Sequence, residues 1–84
     1  MTKVQDALVH RIETLCRKKQ ITYYTLSFKS GVPLSTVMNI QKGKSRNPGI
    51  GTIMKLCDGL GVTLKDFFDS EEFENAVVET RDEK

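Results

Sequence analysis

The stretch SGVPLSTVMNIQKGKSR, residues 30–46, decides how the chain is read. Gly31 stands between two short segments of helical character, at a position that favours left-handed backbone geometry. The second segment carries Ser35, Thr36, Met38, Asn39, Gln41 and Lys42, and turns only Val37 and Ile40 inward as an i, i+3 pair. A helix this polar is either a solvated connector or a working surface. Pro33 is tolerated in a first helical turn, where its missing N–H has no partner anyway. Gly43 ends a third helix placed at about 34–42.

Upstream, Thr22 is a good N-cap for a second helix from Tyr23 to about Ser30, with Ile21 apolar just before it. Leu26 is that helix's clear core residue, and Ser27 is small enough to allow a close helix approach. Further back, Val4, Leu8, Ile12, Leu15 and Cys16 recur as one stripe of a 3.6-residue period, which predicts a first helix over 4–19. Thr2 suits its start, and Arg17, Lys18 and Lys19 suit the dipole of its last turn. Downstream, GKSRNPG (43–49) is a basic loop with a turn signal at its end. A fourth helix over about 50–59 would bury Ile50, Ile53, Leu56, Cys57 and Leu60, with Gly59 and Gly61 as terminators. Thr63 caps a short fifth helix, with Asp66 as a weak capping-box partner, and Leu64, Phe67 and Phe68 close the core. Beyond Asp69 the chain turns acidic. Phe73, Val77 and Val78 read as a short amphipathic helix or as nothing ordered, and a frayed tail is the expectation. The predicted architecture is an all-α bundle of five short helices over 1–68, with an acidic tail over 69–84.

With 84 residues the chain fits one domain and one modest core. A composition of 38% hydrophobic and 29% charged residues excludes fibrous and disordered classes. Cys16 and Cys57 lack metal-ligand spacing and His10 is the single histidine, so no metal is expected. The cysteines read as small buried hydrophobes in a reducing compartment, and His10 as a surface residue. The first residues lack the apolar core of a signal peptide, and no apolar run approaches the roughly 20 residues of a membrane span. A cytoplasmic protein is expected. No nucleophile–base pair, carboxylate pair or phosphate loop is visible, so neither enzyme activity, a cofactor nor a small-molecule substrate is expected. The net charge of +2 hides a split. Residues 1–68 hold eleven Lys/Arg against four Asp/Glu, a balance of +7, and residues 69–84 hold two against seven, a balance of −5. A basic body suggests an anionic partner; ordinary surface charge with a solubilising tail is the bland alternative.

A helix, a tight Gly-centred turn and a second helix have a geometric meaning: the second helix protrudes enough to enter a major groove. On the stretches ITYYTLSFKSGVPLSTVMNIQKGKSRNP (21–48) and TIMKLCDGLGVTLKDFF (52–68), residues 12–68 resemble a Cro/CI-type (XRE-family) helix-turn-helix domain, lambda-repressor-like in fold. The resemblance implies a sequence-specific regulator of transcription, a repressor that binds double-stranded DNA as a homodimer with helix 34–42 in the major groove. Leu34, Ser35, Met38 and Asn39 would face base edges. Asn39 would pair with adenine, and Leu34 and Met38 would pack on thymine methyls or sugars. Thr22 and Tyr23 would meet the phosphate backbone at a helix N-terminus, and Lys42, Lys44, Ser45 and Arg46 would add phosphate contacts.

Three departures from the family pattern bear on this. Pro33 stands where a capping Ser or Thr is usual. Cys16 and Gln41 stand where an Arg–Glu pair is often found, which predicts a neutral contact or none. The recognition helix holds no Arg, which tilts site preference towards A·T features. Simpler roles compete: Leu34 and Met38 as tolerated surface apolars, Tyr23 and Tyr24 as side chains packed on the first helix (Tyr24 the better candidate), and Lys18, Lys19 and Lys29 as solvated charges. The dimer face is expected near Leu60–Phe68 or on the tail. A second class of function remains open, an antitoxin-like or partner-binding helical module that docks another protein through Phe73, Val77 and Val78. In the DNA-binding reading the protein is nucleoid-associated.

Overall fold

The computed structural model describes residues 3–45 and 47–82, with side chains through Ala76. Six helices follow in order: α1 (Lys3–Lys19), α2 (Tyr23–Ser30), α3 (Leu34–Gln41), α4 (Ile50–Leu60), α5 (Leu64–Phe68) and α6 (Glu71–Asp82). The all-α class stands; among the described residues the helices number six, not five.

In α1 the predicted stripe of Leu8, Ile12, Leu15 and Cys16 is buried, and Ala7 and Gln5 join it. Val4 does not: it stays 46% exposed in the same turn as buried Gln5, at the border of an apolar groove with Pro48, Ile50 and Phe68. Thr2, read as the cap, lies outside the described residues. At its far end α1 closes by an Ile21 N–H bond to the Cys16 carbonyl at 3.0 Å, with Gln20 in the left-handed region at φ 59°. The short turn to α2 follows directly.

Thr22 caps α2 as its sequence predicts, accepting a bond from the Thr25 N–H at 3.0 Å. Gly31 ends α2 at φ 76°, a conformation costly for any side chain but glycine. Two serines lock the turn that follows. Ser27 Oγ donates to the Val32 carbonyl at 2.7 Å, and the Val32 N–H donates to Ser30 Oγ at 3.2 Å. Val32 is thereby held in the core.

The close helix approach expected at Ser27 occurs one turn later. Ser30 packs on Gly59, where an added Cβ would stand 2.7 Å from Ser30 Cβ. Gly59 is thus an interior residue of α4, not a terminator; Gly61 ends the helix. Ile53, Leu56, Cys57 and Leu60 are buried as predicted, but Ile50 is 61% exposed. It shares their stripe, yet the first turn of α4 projects beyond the helices that would cover it.

Thr63 caps α5 through the Asp66 N–H at 3.0 Å. Arg11 on α1 satisfies the other end, donating from Nε to the Phe67 carbonyl at 2.8 Å and from Nη2 to the Asp66 carbonyl at 2.6 Å. Phe67 is fully buried, whereas Leu64 and Phe68 stay partly exposed, so α5 closes the core with one ring rather than three side chains. Phe67, Phe68 and Phe73 form an aromatic trio with centroids 4.9–6.1 Å apart.

That trio explains why residues 71–82 are helical where a frayed tail was expected. Phe73 packs against the core, and the small, buried Ala76 lets α6 lie along α1. The side chains of Val77 and Val78 lie outside the described residues. Exposed His10 Nδ1 pairs with Glu72 Oε2 at 2.7 Å, tying α1 to α6. The Glu72 hydrogen bond and charge raise the His10 pKa above its ordinary 6.5; Asp6 and Glu13 add to this, and slight desolvation opposes it. A raised folded pKa stabilises fully below the unfolded value and is lost as pH rises through the folded one. The stability margin of wild type over Glu72→Gln is therefore expected to be small but present near pH 5.5, and to shrink by about pH 8.5. Denaturant midpoints at the two pH values measure it; a margin unchanged by pH would contradict the pairing.

Candidate nucleic-acid interface

The third helix is divided lengthwise. Val37 and Ile40 are buried and pin α3 to α2 and α1. Leu34, Ser35 and Asn39 are exposed and Met38 is half-buried, so the four positions expected to face bases share the outward side. Pro33 opens the helix with no side-chain cap, as its sequence predicts. Its carbonyl instead accepts the Thr36 and Val37 N–H groups at 2.9 and 3.1 Å.

The basic loop is fastened to the end of this helix. Gln41 is the last helical residue and Lys42 the cap, one residue short of the predicted end. The backbone carbonyl of Asn39 accepts the Lys44 and Ser45 N–H groups at 2.9 and 3.3 Å. Gln5 Nε2 reaches the Ser45 carbonyl at 3.5 Å. Lys42 and Lys44 are exposed and Ser45 is half-buried. The structure brings these three together beside Asn39; Arg46 lies outside the described residues. Residues 14–57 hold eight Lys/Arg and no Asp/Glu, so the chain from the last turns of α1 to Cys57 in α4 is free of anionic side chains.

Thr22 and Tyr23 sit at the start of α2. Thr22 is exposed with its oxygen engaged in the cap. Of the two tyrosines, Tyr23 is the one that packs on the core, and Tyr24 is 71% exposed, the reverse of the expectation. The reason is angular. Tyr23 lies three residues before Leu26, on the same helix face, while Tyr24 and Phe28 lie two residues to either side of Leu26 and point away. Phe28, 84% exposed, was not singled out in the sequence.

Gln41 makes the predicted neutral contact, but not with Cys16. Its Nε2 donates to the Val9 carbonyl and to the Tyr23 hydroxyl, both at 3.1 Å, so one amide joins α3 to α1 and α2. Its Oε1 is buried with no hydrogen-bond partner among the described residues. Cys16 and Cys57 are buried free thiols whose pKa values desolvation pushes up, which keeps them unreactive. Among the described residues no three His, Cys, Asp or Glu stand close enough to hold a metal ion, and no helix is long and apolar enough to cross a membrane.

A family model for the Cro/C1-type HTH DNA-binding domain matches residues 11–72 of the 84. No curated protein and no solved structure matches the chain.

Proposed function

The chain belongs to the Cro/C1-type helix-turn-helix DNA-binding family, and on that footing we propose that it is a sequence-specific repressor. It binds double-stranded DNA as a homodimer, lays α3 in the major groove and blocks a promoter by occupancy. The observation that carries this reading is the division of α3 into a buried Val37–Ile40 side and an open side of Leu34, Ser35, Met38 and Asn39. Asn39 and Ser35 read base edges, and Leu34 and Met38 pack on thymine methyls or sugars. Thr22, Tyr23, Lys42, Lys44, Ser45 and Arg46 contact phosphates. Exposed Ile50, Met54, Leu64 and Phe68 on α4 and α5 offer apolar surface for the second copy, which a site of two half-sites calls for. In this reading the protein acts at the nucleoid, where its duplex target lies. The alternative of a partner-binding tail loses support, because Phe73, the first member of its apolar strip, is turned against the core.

The test is a salt series of duplex affinities. Log K is expected to fall linearly with log salt, by about 0.9 per phosphate neutralised. Lys44→Ala should weaken all sequences alike and reduce the slope by about 1. Duplex binding that is indifferent to salt would overturn the reading.

A further inference from the structure

The Gln41 amide has a fixed orientation that follows from its neighbours. The Val9 carbonyl, 3.1 Å away, can only accept, so the atom facing it must be the Nε2 donor and not Oε1. The same Nε2 lies 3.1 Å from the Tyr23 hydroxyl. A hydroxyl facing an N–H donor accepts with its lone pair, and its own proton points elsewhere. Among the described residues nothing accepts that proton. Accepting one bond also makes a hydroxyl a better donor of the next.

We propose that Gln41 is a positioning residue that commits the Tyr23 hydroxyl to donate its proton outward, to a phosphate oxygen of bound DNA. The proposal rests on the DNA-binding reading and adds to it a device that sets the direction of one contact. Gln41 is a poor choice for stability alone. Its Oε1 is buried without a partner, a penalty that an apolar side chain of the same length would avoid. The amide is explained by what it does for Tyr23. Without it, no donor faces the Tyr23 hydroxyl, and its proton is no longer held to the outward direction.

A double-mutant cycle of Tyr23→Phe and Gln41→Met tests this, read as affinity for one duplex over a salt series, with a thermal melt of each protein. Tyr23→Phe keeps the packed ring and is expected to weaken binding about tenfold. Its salt slope should stay unchanged, because the lost donor is neutral. Gln41→Met is expected to weaken binding about threefold or more in the wild-type background and to add nothing in the Tyr23→Phe background. If Gln41→Met melts below the assay temperature, Gln41→Leu takes its place in the cycle. Equal losses in both backgrounds would make Gln41 a brace for α3 and overturn the proposal. So would a Tyr23→Phe protein that binds like wild type while Asn39→Ala is impaired, an outcome that leaves the DNA-binding reading intact. Failure of wild type itself to bind any duplex would overturn both.

Discussion

Gly59→Ala is expected to cost about 2 kcal/mol of folding stability, a large share of what a domain of this size holds. The added methyl would stand 2.7 Å from Ser30 Cβ, 2.9 Å from Ser30 N and 3.0 Å from Ser30 Cα. Two of those atoms are backbone, so no rotamer change relieves the clash and α2 must move off α4. The displacement opens the core where Leu26, Leu56 and Leu60 are buried. Overpacking of this kind costs about 1–3 kcal/mol, and the backbone contacts put it at the upper end. Alanine's better helix propensity returns up to about 1 kcal/mol, which leaves the stated net. Gly51 supplies the control in the same helix. Nothing lies within 4 Å of a Cβ there, so Gly51→Ala should be neutral or slightly stabilising. Equal denaturation midpoints for the two variants would show that α2 and α4 are not in this close contact. Because α2 carries α3 through the Gly31 turn, Gly59→Ala should also weaken DNA binding at temperatures where the protein stays folded.

Asn39→Ala is expected to cost about 1–3 kcal/mol of DNA affinity at the preferred site and to abolish discrimination at one base pair. The side chain is exposed and takes no part in the core. The carbonyl that anchors Lys44 and Ser45 is backbone, so the substitution leaves the loop in place. Stability should therefore stay within about 0.5 kcal/mol of wild type, which separates a recognition defect from a folding defect. The opposite pattern, a lower midpoint with unchanged site preference, would move the recognition surface away from Asn39.

The fold was legible wherever local chemistry decides it. Thr22, Gly31, Thr63 and Gly61 act at the helix ends that their types predict, since caps depend on a few adjacent atoms. The inward pair Val37–Ile40 follows from helical period alone. The expectations that failed depend on what lies across from a residue. Ile50 continues a correct stripe past the end of the surface that would cover it. Gly59 looked like a helix stop, because its reason for being glycine is a serine 29 positions away, from Ser30 to Gly59. The sixth helix depends on Phe73 meeting Phe67 and Phe68 and on a small residue facing α1, neither of which a local pattern carries. For the candidate site, exposure of Leu34, Ser35 and Asn39 was readable. The Gln41–Tyr23–Val9 junction was not, since its three members come from three helices. The tyrosine order was available in the sequence: Leu26 fixes the inner face of α2, and only Tyr23 shares it.

Selection of bound sequences from a random duplex library, run in parallel with wild type and Asn39→Ala, tests the central claim most directly. Wild type is expected to enrich a two-fold symmetric site whose half-sites are centred about 10–10.5 base pairs apart, with an adenine at the position Asn39 reads. The Asn39→Ala pool should keep the spacing and lose preference at that position in each half-site. A wild-type pool with no enriched sequence, or one in which Asn39→Ala selects the same site unchanged, would contradict the assignment of α3 as the helix that reads DNA.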